Sequence, residues 1–152
     1  MRYFEATSFI AADPIAVWAV LVDGAGWPSW DSGVDSVDGR FALGAQVTIR
    51  SQAAPGRAFP VKVIAWEPAS QLVLSGGMPF GLFRGVRTFT LDPAPGGAAF
   101  RVREEYTGPL LPLFWRSMPD LGPSFGRFAN GLRVRVESDA RPRTSVAEQP
   151  GA

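Results

Sequence analysis

Polar and apolar side chains alternate over residues 3–11, a stretch rich in Phe, Tyr, Thr and Ile, and this period of two predicts a strand. The pattern then changes. Asp13 can cap a helix that starts on Pro14, and Ile15, Val17, Trp18, Leu21 and Val22 give that helix a broad apolar face. Gly24 and Gly26 end it. Trp27-Pro28-Ser29-Trp30-Asp31 holds too many helix breakers for a regular helix and reads as one helical turn that wedges two indoles into the structure. Strand patterns return near 34–40, 45–52, 58–67, 71–77, 82–91 and 98–107. Turn residues separate them: Gly39, Gly44, Pro55-Gly56, Pro68, Gly76-Gly77 and Pro93 through Gly97. Strands this closely spaced, with no helix between them, should pair as an antiparallel meander.

Gly108 through Trp115 reads as an apolar loop stiffened by Pro109 and Pro112. So many bulky apolar side chains imply that it covers something. A second helix is predicted from near Pro119-Asp120, with Leu121, Phe125, Phe128, Leu132 and Val136 at helical spacing. Gly122, Gly126 and Gly131 weaken its propensity, and Pro123 fits only in its first turn. Packing must therefore hold it in place. Residues 140–152 read as a disordered tail after a single domain at 1–139. A curved antiparallel sheet with one long helix across it leaves a space between the two, so the order of elements describes a container.

Composition narrows what the container can do. Eleven Phe and five Trp in 152 residues suit a wide apolar cavity as well as an ordinary core. There is no cysteine and no histidine, so thiolate nucleophiles, Ser-His-Asp triads and histidine-dependent metal centres are excluded. No metal site and no cofactor is expected; catalysis would rest on carboxylate, Tyr, Arg or bound water. A net charge of +1 gives no reason to expect a nucleic-acid partner. Lys62 is the only lysine among the basic residues, a bias that fits a GC-rich bacterial genome. No apolar run approaches the roughly 20 residues of a membrane span, so membrane insertion is not expected. The N-terminus does not look like a signal peptide, and a cytoplasmic location follows by default.

The strand, helix, Trp-bearing turn, six strands and final helix resemble the START-like superfamily, also called SRPBCC or Bet v 1-like, of polyketide cyclases and lipid transport proteins. The local patterns are Asp13-Pro14-Ile15-Ala16-Val17-Trp18, Trp27-Pro28-Ser29-Trp30, Gly44 before a strand, Trp66-Glu67-Pro68, and Glu105-Tyr106-Thr107-Gly108-Pro109-Leu110. They cover residues 2 to about 138. The resemblance implies an α+β helix-grip fold: a curved antiparallel sheet of about seven strands around a long C-terminal helix, with short helices after strand 1. It also implies an elongated cavity between sheet and helix. Members bind lipids, polyketides, sterols, plant hormones or quinones, and some catalyse cyclisation or dehydration. No single catalytic motif unites them, so the fold transfers no reaction.

Strand parity places the polar candidates. Phe100 and Val102 mark the inward face of the last strand, and Glu104 and Tyr106 share their parity. Phe89 and Leu91 mark the inward face of the strand before it, with Phe83, Gly85 and Arg87 in step. If Leu91 lies opposite Phe100, then Phe89 meets Val102 and Arg87 meets Glu104, an ion pair on the concave side. This pair either orients the polar end of an apolar ligand or only fixes strand register. In a catalytic version Glu104 is the acid or base, and Arg87 or Tyr106 stabilises an enolate-like oxygen. The nearby arginine, however, favours the ionised carboxylate.

The apolar candidates form the rest of the expected site. Trp27 and Trp30 either cap a cavity mouth or plug the barrel end. Met78, Phe80, Leu82 and Phe83 lie in GGMPFGLFRG, either a mobile gate or a hairpin tip packed on the final helix. Leu111, Phe114, Trp115 and Met118 are an opposite lip or a plug beneath that helix. Leu121, Phe125 and Phe128 would be both core and cavity wall. The expected ligand-binding set is thus Trp30, Met78, Phe80, Phe83, Arg87, Phe89, Val102, Glu104, Tyr106, Leu111, Trp115, Leu121, Phe125 and Phe128.

Three functions compete. The first is binding or carriage of a small apolar, ring-bearing molecule, without catalysis. The second is a polyketide cyclase- or dehydratase-like enzyme that uses Glu104, Arg87 and Tyr106. The third is a protein-interaction module of the co-chaperone type, which would show a filled interior and an exposed apolar patch near Trp115 or the glycine-rich hairpin. A small hydrophobic molecule is the expected partner, and a weak homodimer is compatible with all three readings.

Overall fold

In the computed structural model, which describes residues 1–141, seven strands form one antiparallel sheet. They are β1 (Arg2–Ile10), β2 (Val34–Asp38), β3 (Gln46–Ser51), β4 (Phe59–Glu67), β5 (Gln71–Gly77), β6 (Arg84–Ala94) and β7 (Gly97–Thr107). The spatial order is β1-β7-β6-β5-β4-β3-β2, so β1 and β2 lie at opposite edges. The chain passes from one edge to the other through α1 (Pro14–Leu21) and a 3₁₀ turn over Gly24–Ser29. Bulges at Val34/Ser36 and Val63/Ala65 bend the sheet. After β7 come a short helix, α2 (Leu111–Ser117), and the long α3 (Gly122–Ala140). This is the helix-grip α+β fold. Among the described residues no helix is long and apolar enough to cross a membrane.

The local chemistry explains most boundaries. Asp13 caps α1 by accepting a hydrogen bond from the Ile15 N–H at 2.8 Å, and Pro14 occupies a position whose N–H would have had no partner. Val17, Trp18 and Leu21 are buried, but Ile15 is 70% exposed, so the apolar face of α1 is narrower than its sequence predicts. Trp27 is wholly buried and donates from Nε1 to the Leu21 carbonyl at 3.0 Å. The segment from Leu111 is a helix where the sequence predicts a stiff loop. Pro112 falls in its first turn, where its missing N–H breaks nothing.

The final helix begins at Gly122, slightly later than predicted, with Pro123 in its first turn. It buries Phe125, Phe128, Ala129, Gly131, Leu132 and Val136. Polar clasps hold it on the sheet: Ser8 Oγ donates to the Ala129 carbonyl at 3.0 Å, and the Ala11 N–H donates to Glu137 at 2.9 Å. Gly131 is required by a close approach, because a Cβ there would collide with the Asp31 carbonyl. Ala140 still belongs to α3. The rest of the predicted tail, from residue 142 onward, lies outside the described residues.

Candidate functional site

The sheet register sets the polar group in place. Leu91 lies opposite Phe100, Phe89 opposite Val102 and Arg87 opposite Glu104. Across the concave face one row runs Phe4, Glu104, Arg87, Leu74, and the next runs Arg2, Tyr106, Gly85, Gly76. Arg87 Nε donates to Glu104 Oε1 at 2.6 Å, a charge-assisted bond. Their side chains are 27% and 16% exposed, so the pair is sheltered but still wet. That bond is the one hydrogen bond the Arg87 guanidinium makes among the described residues, so both terminal nitrogens are free to donate. The guanidinium also lies 4.8 Å from the Phe125 ring centroid.

Tyr106 completes the group. Its residue is only 2% exposed, yet its hydroxyl oxygen is buried without a hydrogen-bond partner. Burial first, and the Glu104 charge second, hold the phenol well above the usual tyrosine range; the Arg87 charge opposes them. Glu104 is close enough for its charge, and more weakly its hydrogen-bonding capacity, to raise the phenol, although no hydrogen bond of good geometry forms between them. Gly85 makes the crowding possible. A Cβ there would lie 2.8 Å from Glu104 Oε2 and 3.4 Å from Tyr106 Cε1.

Aromatic rings surround these polar atoms. Phe4 stacks on Trp115 at 5.2 Å and meets Phe125 edge-on at 6.3 Å. Tyr106 lies 5.9 Å from Trp115 and 6.1 Å from Phe83. Phe83 packs on Phe114 of α2 at 5.1 Å, and the Leu110 N–H donates to the Leu82 carbonyl at 2.9 Å. The β5–β6 hairpin therefore rests on α2, not on the final helix. Together α2 and the hairpin roof the polar group.

The remaining expected site residues are dispersed. Phe89, Val102 and Phe128 are buried in the core, where Phe128 packs against Trp27, Trp30, Phe89 and Phe100 at 4.9 to 6.3 Å. These rings fill the centre between sheet and α3, where the sequence analysis expects the cavity to run. Leu111 is buried and Leu121 half-buried. Trp30 lies along the later part of α3, beside an open depression of about 290 Å3 with Asn130, Val134 and Arg135. Met78 is exposed and Phe80 is 97% exposed; neither joins the aromatic roof. A larger open groove of about 770 Å3 lies on the outer face of the sheet, lined by Thr7, Phe9, Gln71, Thr90 and Arg101.

The comparisons agree with this architecture. Residues 1–137 match the model of the family described as polyketide cyclase / dehydrase and lipid transport. The chain belongs to that family. Among solved structures, this family member is similar to an aromatase/cyclase from a Streptomyces species, with a TM-score of 0.74 and 16% identity over 95% of this chain and 99% of the other. A Mesorhizobium loti protein gives 0.72 and 21% over 93% and 100%. The Aha1 dimer from Colwellia psychrerythraea gives 0.70 and 15% over 93% and 100%. At these identities the likeness is one of fold. No curated protein sequence matches this one.

Two residues beside the polar cluster are not recognised as its neighbours in the sequence of this polyketide cyclase/dehydrase family member. Phe4 has inward parity with Ala6 and Ser8, but only the β1–β7 pairing places it beside Glu104. Gly85 shares the parity of Arg87, but only the structure shows the Glu104 and Tyr106 side chains lying over it.

Proposed function

We propose that this protein binds a small, largely apolar molecule whose acceptor oxygen is held between Arg87 and Tyr106. The observation that carries the reading is the buried Tyr106 hydroxyl without a partner, beside a guanidinium with two free nitrogens. An orphaned buried hydroxyl costs about 1–3 kcal/mol, and a ligand oxygen would recover it. Phe4, Phe83, Trp115 and Phe125 supply apolar walls for the remainder of such a molecule. With the centre filled by Phe128 and its neighbours, this reading puts the ligand at this end, where α2 or the hairpin would have to move to admit it. Family membership supports a ligand-binding or cyclase-like role. The catalytic alternative uses the same cluster, with Glu104 as proton acceptor and Arg87 and Tyr106 stabilising the enolate oxygen.

The test is titration with 8-anilinonaphthalene-1-sulfonate, whose rings and acidic group match the two halves of the site. Arg87→Met and Tyr106→Phe are each expected to weaken binding about tenfold, while Phe80→Asp leaves it unchanged. Equal affinity in all four proteins overturns the assignment. A second reading, a protein-interaction module, is favoured by the filled centre.

A further inference from the structure

The tip of the β5–β6 hairpin departs from what a folded chain normally tolerates. Gly77 through Leu82 are six consecutive exposed residues and include Met78, Pro79, Phe80 and Leu82. Phe80 is 97% exposed and its backbone is left-handed, with φ 60° and ψ 21°. That conformation is costly for a bulky residue, and strain of this kind persists where it serves a function. The tip is nevertheless firmly built: the Met78 N–H donates to the Phe83 carbonyl at 2.8 Å, and the next turn is tied to Leu110. Leu113 on neighbouring α2 is 65% exposed and enlarges the apolar surface.

The segments that build this tip carry charge of one sign. Residues 68–91 and 106–119, which build the hairpin and α2, contain no Asp or Glu. They carry Arg84, Arg87 and Arg116, and Arg2 lies over the Trp115 ring at 5.2 Å. Arg87 pairs with Glu104, whereas Arg2, Arg84 and Arg116 pair with no carboxylate among the described residues. Among the described residues the Arg84 side chain donates only to Ser75 Oγ, at 3.0 Å. Asp120, the nearest acid in sequence after α2, is turned to the Gly122 N–H.

We infer that the hairpin tip and α2 dock on the surface of a membrane containing anionic lipid, with Phe80, Leu82, Met78 and Leu113 entering the interface and Arg2, Arg84 and Arg116 meeting the headgroups. A protruding apolar tip, with arginines that pair with no carboxylate at its base and on the neighbouring α2 and β1, matches the layered chemistry of that surface, where rings and aliphatic chains sit just below anionic oxygens. The contact is peripheral and spans nothing. Its test is separable from the ligand reading, because Phe80, the residue changed, is 97% exposed and lies outside the aromatic roof.

The experiment is vesicle flotation of the full chain with phosphatidylcholine alone and with added phosphatidylglycerol. Partition to the mixed vesicles is expected, falling with salt. Phe80→Asp should reduce it roughly tenfold or more, and Arg84→Ala or Arg116→Ala roughly fivefold each. All three positions are exposed, and an unchanged melting temperature confirms that the variants are folded. The inference is overturned if mixed vesicles do not retain the protein, or if Phe80→Asp binds as well as wild type. It is also overturned if the patch proves to join two copies: a dimer in sedimentation without vesicles, dissolved by Phe80→Asp. None of these outcomes alters the expected effect of Arg87→Met on ligand binding.

Discussion

Replacing Tyr106 with Phe separates a binding group from a structural one. The hydroxyl is buried and unpartnered, so it imposes a desolvation cost of about 1–3 kcal/mol without a hydrogen bond in return. Phenylalanine keeps the ring contacts with Phe4, Phe83 and Trp115 and removes only the oxygen. The empty variant should therefore be more stable than wild type. At about 3 °C per kcal/mol for a chain of this size, the melting temperature should rise by about 3–9 °C. Ligand affinity should fall in the same protein. The pH dependence gives a second readout. Above about pH 10 the unfolded chain releases the phenol proton while the folded chain retains it, because the folded phenol titrates higher. Folding thus binds a proton there, and stability falls as pH rises. Below that pH the group contributes no slope. Differential scanning fluorimetry from pH 8 to 11 should show the alkaline decline in wild type and a shallower one in Tyr106→Phe. A variant that melts lower than wild type at pH 8 would mean the hydroxyl is satisfied in solution, and the reasoning would fail.

Other substitutions test other parts of the account. Arg87→Met and Glu104→Gln should each cost about 1–3 kcal/mol in urea unfolding, with the double variant costing less than the sum, because the partly buried pair is broken only once. Gly131→Ala should destabilise by about 1–3 kcal/mol, since α3 must then move off the Asp31 carbonyl. Asp13→Ala should cost about 1 kcal/mol through loss of the α1 cap, measurable in the same assay.

Much of this molecule is legible from residue order because its periodicities are clean. The two-residue period on β6 and β7, anchored by Phe89, Leu91, Phe100 and Val102, fixes one register. That register alone puts Arg87 against Glu104. Asp13-Pro14 marks a helix start by hydrogen-bond chemistry that is local in the chain. The failures are non-local. Leu111–Ser117 looks like a loop because two prolines dominate the window, yet Pro112 sits where a helix accepts it. Ile15 continues the helical apolar pattern but has nothing above it to pack against. The expected cavity runs further than the structure allows, because the order of residues does not show that Trp27, Phe89, Phe100 and Phe128 meet. Phe80 carries the composition of a lining residue, and only the left-handed turn at the hairpin tip reveals that it faces outward.

The central claim is that one end of the interior, beside Arg87 and Tyr106, is where a ligand is held. Chemical-shift mapping of the protein during titration with 8-anilinonaphthalene-1-sulfonate tests it most directly. The account predicts the largest saturable shifts at Arg87, Glu104, Tyr106, Trp115 and Phe125. Shifts confined to Thr7, Phe9, Gln71, Thr90 and Arg101 would place the probe in the outer groove and contradict it.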